Sequence, residues 1–422
     1  MHVAALRAGP VAALAHDRAS VDVVLVLVRD PMKVHSRHGR TLVVADATVL
    51  AVRRPTTTWV HAHAPVVVFG TDTRWLGLLP GQRVRASARI LPPRPGDGVA
   101  AALLTTGAPQ PLGRPPVWQR AAGRVREGLR HACMALPDDE RGLVPGVVLG
   151  DVALMPPSLT TAFRATGLAH LNAVSGANLA IVIGAVVGVG RAVGIGRRTR
   201  FAVAVAALLG FVALARPSPS VLSAAVMGVV VLVGALHGRR GAGVPALSAA
   251  VLGLVVVDPF LAPSPGFAMS VLATAAILTI APRLTTRLAR VLPEPMAAAV
   301  AVPAAAQLAC APVIVAAFGQ LTPYAIPANL LAAPAVAPAT LLGLACAVVA
   351  LVSPALAQAV AWAAALPAAW LVVIARGLSA LPLAGATCPP GWRGVGVLTG
   401  AAAVAVIAGY AVRRRAILGG CR

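Results

Sequence analysis

From about residue 166 to residue 412 the chain is one apolar segment after another, separated by short connections. That pattern leaves few folds open. A helix needs about 20 apolar residues to cross a hydrocarbon core of about 30 Å. We place spans near 170–190, 201–215, 220–237, 243–257, 266–281, 296–318, 324–351, 355–375 and 394–412. Several are short or interrupted by proline, which predicts broken or re-entrant helices. Composition agrees, with 58% hydrophobic and only 12% charged residues, against about 45–50% apolar and about 25% charged in soluble domains. The expected fold class is a polytopic α-helical membrane protein of about nine apolar spans.

Charge is unevenly spread. The formal net charge is +23, and Lys33 is the only lysine among the cations. An excess of arginine suits anionic headgroups or nucleic acid. A single lysine in "PMKVHS" excludes a P-loop, whose glycine-rich turn ends in Lys-Ser/Thr. Energy for any transport would come from a partner or a gradient. One set of connections carries Arg191, Arg197, Arg198, Arg200, Arg239, Arg240, Arg283, Arg287, Arg290 and Arg413–Arg415; the alternating set carries Arg216, Arg376 and Arg393. The positive-inside rule puts the first set in the cytoplasm. With no span recognised before residue 170, the N-terminal region is expected outside and the C-terminus inside.

That region has a different texture. Residues 1–20 form a short mixed segment without a signal-peptide apolar core. Residues 21–110 read as β. "VDVVLVLV" and "TLVVADATVLAV" are β-branched, and "GQRVRASARI" alternates, with Val84, Ala86, Ala88 and Ile90 on one face and Arg83, Arg85, Ser87 and Arg89 on the other. With "PVVVFG" and "VAAALLTT" about five strands result, which fits a small OB-like barrel; a sandwich would read similarly. Arg83, Arg85 and Arg89 share a face, and Trp59 and Trp75 are candidates to stack bases; a solvated strand face with core tryptophans gives the same pattern.

Residues 111–165 read as a Pro-rich linker and a basic amphipathic helix from about Val117 to Leu136. Its apolar stripe is Trp118, Ala122, Val125, Leu129, Ala132, Cys133 and Leu136, with Arg120, Arg124, Arg126 and Arg130 largely off it. It would lie in the membrane interface or pack on the barrel. The five cysteines lack CxxC spacing and read as small buried residues, although a Cys133–Cys388 disulfide is possible. "HAHAPV" carries His61 and His63 without an Asp-His continuation, so no metal or other cofactor and no catalytic site is expected.

"TGLAHLNAVSGANLAIV", Thr166 to Val182, puts His170, Asn172, Ser175 and Asn178 in an apolar run. On a helix Asn172, Ser175 and Asn178 fall within about a 120° arc. Polar side chains inside lipid face a cavity or a partner helix. A lined aqueous path and interhelical packing both account for them.

This stretch resembles the signature of the ComEC competence-protein family, inner-membrane channels of DNA uptake. "PSVLSAAVMG", "DPFLAPSPGFAMSVLATAAIL" and "AAAQLACAPVIVAAFGQLTPYAIPANLLAAPAV" follow in the family's order. Asn178 stands where many members have His, and Ser223 where many have Arg. The helix pair that usually precedes the β domain and the C-terminal metallo-β-lactamase-like domain are not seen.

The resemblance implies a channel for single-stranded DNA over residues 166–412, with 413–422 as a basic cytoplasmic tail. His170, Asn172, Ser175, Asn178, Gln307 and Asn329 are the expected lining or gating residues; Arg216 and Asp258 are expected at helix ends. Implied partners are single-stranded DNA, membrane lipid, a DNA-receptor protein, a cytoplasmic motor ATPase and a separate nuclease. A small-solute secondary transporter suits broken helices equally, but has no need of the barrel. A truncated remnant of a channel is the other alternative; reading upstream of Met1 for two further spans discriminates it.

Overall fold

The computed structural model describes residues 9–35, 41–55, 57–93, 98–172, 176–216, 219–236, 243–320 and 322–389, with 391, 393, 394, 396 and 399. The chain divides into two compact units, Met1–Glu127 and Gly128–Arg422.

The first unit begins with helix α1 (Pro10–His16). Seven strands follow: β1 (Ser20–Leu27), β2 (Met32–His35), β3 (Thr41–Arg53), β4 (Val60–Gly70), β5 (Arg83–Leu91), β6 (Ala101–Thr105) and β7 (Gln110–Leu112). Five of them close a ring in the order β1-β3-β4-β6-β5 and back to β1, with β4–β6 parallel and the other pairs antiparallel. Closure leaves no edge in the ring itself, while β2 extends from β3 and β7 from β5. Strict alternation produces this: Val23, Leu25, Val49, Val84, Ile90 and Leu103 are all fully buried. Along β5 the four arginine and serine positions are exposed and the four apolar ones buried, as the sequence predicts. Bulges at Val24/Leu25 and Val49/Ala51 add the local bend and twist that small rings need.

Helix α2 (Val117–Cys133) spans the division between the units. Its first half packs on the barrel, the second of the two placements open from the sequence. Arg126 is 6% exposed and pairs with Asp30 at 3.5 Å, so it is not on a solvated face. Trp118, on the apolar stripe, is half exposed.

The second unit is helical: α3 (Asp138–Leu149), α4 (Pro157–Ala165), α5 (Gly176–Ala192), α6 (Arg197–Ala215), α7 (Pro219–Leu236), α8 (Gly243–Val257), α9 (Pro265–Thr279), α10 (Ala281–Leu288), α11 (Glu294–Phe318), α12 (Ala325–Val349) and α13 (Pro354–Ser379). Eight of the nine expected spans are helices here; the span at 394–412 lies almost wholly outside the described residues. By length and composition α6, α11, α12 and α13 can each cross a membrane. α9 and α10, bent by 45°, make a fifth crossing if taken as one span. α5 and α8 are apolar but shorter. Four to five crossings are therefore supported among the described residues, where the sequence predicted nine.

Packing in this unit follows size. On α12 Ala325, Ala328, Ala332, Ala335 and Ala339 are buried, and on the adjacent α13 Ala357, Ala361, Ala364 and Ala368. Spacings of three, four and seven put each set on one helix face, so the backbones approach closely. Leu356, Trp362, Leu366 and Val373 of α13 point away from the packed core.

α3 and α4 are unforeseen, because that region reads as linker. In α3 every residue from Gly142 to Leu149 is buried. Asp138, Asp139 and Glu140 lie in its first turn, where the helix dipole favours anions. Gly150 ends it in the left-handed region at φ 67°. Its 12 residues reach about 18 Å at 1.5 Å per residue, short of a crossing.

Candidate functional site

α3 packs against α12 and α13, and the polar residues of the opening stretch collect beside its C-terminal half. Asn178 is fully buried and donates from Nδ2 to Val147 O at 2.9 Å. Asn172 Nδ2 contacts Met155 Sδ at 3.2 Å, and its Oδ1 is buried without a hydrogen-bond partner. A Cβ built on Gly146 would lie 3.9 Å from that oxygen.

A second group adjoins Gly167. Its φ of 73° turns the chain, and a Cβ there would come within 2.7 Å of Ala325 Cβ. His170 Nδ1 lies 3.0 Å from Gly167 O. Gln307 Nε2 donates to Thr322 Oγ1 at 2.9 Å, and Asn329 Nδ2 to Ala325 O at 2.8 Å. Five of the expected lining residues thus fall into two neighbouring groups joined by residues 167–178. Ser175 lies outside the described residues.

The geometry of the stretch differs from the expected helical arc. Residues 169–171 form a 3-10 turn and α5 begins only at Gly176. Asn172 therefore precedes the helix that carries Asn178, and their proximity comes from both reaching α3. Arg216 is buried at the end of α6 with φ 68°, and Asp258 is exposed after α8.

Charge pairs that sequence reading missed hold α3 at both ends. Arg376 grips Asp139 in a bidentate pair at 2.7 and 2.8 Å. Arg130 donates from Nε at 2.7 Å to Asp151, which is 5% exposed just beyond the helix. The acidic "PDDE" before an apolar run is the signal that could have revealed this helix.

Residues 128–167 also run the length of the α12/α13 hairpin. A Cβ on Gly128 would sit 3.1 Å from Ala350 Cβ, at the α12–α13 turn. Cys133 and Cys346 are neighbours near that end, and Cys346 Sγ donates to Ala357 O at 3.2 Å. Gly167 meets Ala325 at the other end, where Gly385 faces Ala165. Cys133 thus neighbours Cys346 rather than Cys388, whose N–H donates to Gly319 O.

In the first unit Arg83, Arg85 and Arg89 are exposed along β5. Trp59 is half-buried, with the Arg53 and Arg85 guanidinium carbons 4.7 and 5.6 Å from its ring centroid. The base-stacking role expected of Trp75 is corrected. It is 1% exposed, in the barrel core, and a Cβ on Gly70 would come within 2.9 Å of its Cδ1. His61 and His63 are exposed on β4; among the described residues no three His, Cys, Asp or Glu side chains group as a metal site.

Comparison with known proteins adds two findings. The family model described as "Competence protein" matches residues 147–415. ComE operon protein 3 of Bacillus subtilis (strain 168) is 26% identical over 199 residues, which is 47% of this chain and 25% of that protein. The match thus spans a quarter of the curated relative's length. No solved structure matches.

Proposed function

The chain belongs to the competence protein family, and from that membership we propose that it is the channel component through which single-stranded DNA crosses the plasma membrane during uptake. The observation that carries this is the gathering of Asn172, Asn178, His170, Gln307 and Asn329 around α3 and the start of α12. Carboxamides and an imidazole wet a path without adding fixed charge. A strand of phosphates would be held too tightly by a lining of cations. α3, buried from Gly142 to Leu149 and too short to cross, is the element beside which Asn172 and Asn178 lie. A separate motor, nuclease and receptor would act with it, and the OB-like barrel would bind the strand.

The test replaces Asn172, Ser175 and Asn178 together by Leu and measures membrane abundance and internalised DNA in the same strain. Full abundance with lost uptake is expected. If the residues only join helices, each contributes about 0.6 kcal/mol, and abundance and uptake fall in proportion. Normal abundance with normal uptake rejects the path.

We infer sidedness from the arginine asymmetry taken together with the chain path. The arginine asymmetry puts the connection carrying Arg283, Arg287 and Arg290 in the cytoplasm. That connection precedes α11; with α11 and α12 taken as consecutive crossings, it shares an end with the α12–α13 turn, beside which Gly128 packs. An outside N-terminal region and inside arginines would need Gly128 at the opposite end. We therefore propose Gly128 at the cytoplasmic end, whereas the sequence, with no span recognised before residue 170, leads to the expectation that the region before it is outside. With cysteines introduced at 128 and 287, an impermeant thiol reagent on intact cells should label neither. Labelling of one alone refutes the shared end.

A further inference from the structure

Three strands bring charged groups to one outer face of the barrel, and Trp59, just before β4, adds an indole beside them. Across β1, the Cα register sets Arg53 of β3 and Ser87 of β5 both opposite Asp22. Asp22 Oδ2 accepts from Arg53 Nε and Nη2 at 3.1 and 3.0 Å, and its Oδ1 accepts from Ser87 Oγ at 2.7 Å. The Arg53 guanidinium is thereby fixed 4.7 Å from the Trp59 ring centroid, within cation–π range. Arg53 has its charge offset by Asp22. Arg83 and Arg89, farther along β5, form no ion pair among the described residues. The face thus separates two kinds of group: cations open to phosphate, and a neutralised, rigidly held guanidinium–indole pair.

We propose that Trp59 with Arg53 is the base-stacking element that makes the barrel prefer single-stranded over duplex DNA, and that Asp22 is its positioning residue. This rests on the reading that the barrel binds DNA. Single strands present base faces and duplexes bury them, so a π surface discriminates where phosphate contacts cannot. Arg83 and Arg89 supply the charge that both forms feel. Neither Arg53 nor Asp22 stands out in the sequence, because their pairing depends on a register between strands about 30 residues apart.

The experiment uses the full chain in detergent and fluorescence anisotropy with a labelled oligothymidylate and a blunt duplex of equal length. Trp59→Ala should weaken the single strand about tenfold and the duplex less than about twofold, and Trp59→Phe should recover most of the loss. Arg83→Ala with Arg89→Ala should weaken both and flatten the single-strand salt slope by roughly 0.7 per lost contact. Asp22→Asn frees Arg53 to meet phosphate, so the slope should steepen while single-strand preference falls. Equal loss on both DNAs in Trp59→Ala, or none, overturns the stacking element while leaving the barrel as a DNA-binding unit. A wild-type chain that binds neither DNA, or whose binding ignores Arg83 and Arg89, overturns the barrel reading as well.

Discussion

The barrel core and the α12–α13 contact bury different kinds of residue. In the barrel, Val, Leu and Ile turn inward and Arg turns outward, so Ile90 is fully buried and its neighbour Arg89 is exposed. Where α13 packs on α12 alanine is inside and leucine outside: Ala361 and Ala364 are fully buried and Leu366 is 76% exposed, although Leu143, Leu159 and Leu371 are fully buried elsewhere in the helical unit. Water makes polarity the sorting rule in the first case. Lipid is as apolar as leucine, so in the second case close approach decides, and residue size takes over. A small side chain is therefore to the α12–α13 contact what a large one is to the barrel core.

The sharpest way to break that contrast is to add one methyl group. A Cβ on Gly142 of α3 would meet the Met155 backbone and lie 2.5 Å from Leu154 O. Backbone cannot step aside as a flexible side chain does. Gly142→Ala should cost at least the roughly 3 kcal/mol of severe overpacking, read as a collapse of membrane abundance and of the detergent melting temperature. Gly184 of α5 has nothing within 4 Å of its Cβ position. Gly184→Ala should be neutral or raise stability by up to about 1 kcal/mol through helix propensity. Equal effects at the two positions would remove size as the rule.

Removing apolar volume should act the other way round. Ile90→Ala empties a fully buried barrel site and should cost about 2–5 kcal/mol, seen as loss of the barrel's cooperative melt. Leu366→Ala trims a side chain that already points out of the packed unit. Its effect on the detergent melt should stay within about 0.5 kcal/mol. A loss at Leu366 comparable to that at Ile90 would mean that the outer face of α13 is covered by protein.

These rules explain what could be read in advance. β5 was legible residue by residue because water faces one side and a core the other. Helix positions such as 243–257 were legible because apolar runs have edges. α3 was not: "GLVPGVVL" is too short for a span, its Pro145 reads as a break, and nothing local says that α12 and α13 enclose it. The polar residues of the opening stretch were found because polar groups in an apolar run are rare. Their arrangement was hidden by Gly167 and Gly176, which turn an expected helix into a 3-10 step followed by a new helix. Trp59 and Trp75 look alike in sequence. Only the folded ring shows one under Gly70 in the core and the other at the surface beside Arg53.

The smallest effect expected is acid sensitivity confined to the barrel. The Ser87 hydroxyl holds the Asp22 carboxyl below the usual carboxylate range, with burial opposing it and Arg53 adding to it. A carboxyl with a depressed pKa in the fold stabilises it above the unfolded value of about 3.9. That contribution disappears as pH falls through the folded value. The pair is partly open to water, with the Arg53 side chain 36% exposed, so solvent screening limits it to about 1 kcal/mol or less. Asp22→Asn should lower the barrel's melting temperature modestly at neutral pH. The gap to wild type should narrow below about pH 4, and the helical signal of the membrane unit should be unmoved throughout. A gap that stays constant down to pH 2 would show that Asp22 acts through shape alone. A gap that widens on acidification would reverse the sign and remove the Ser87–Asp22–Arg53 chain as a charge-dependent support.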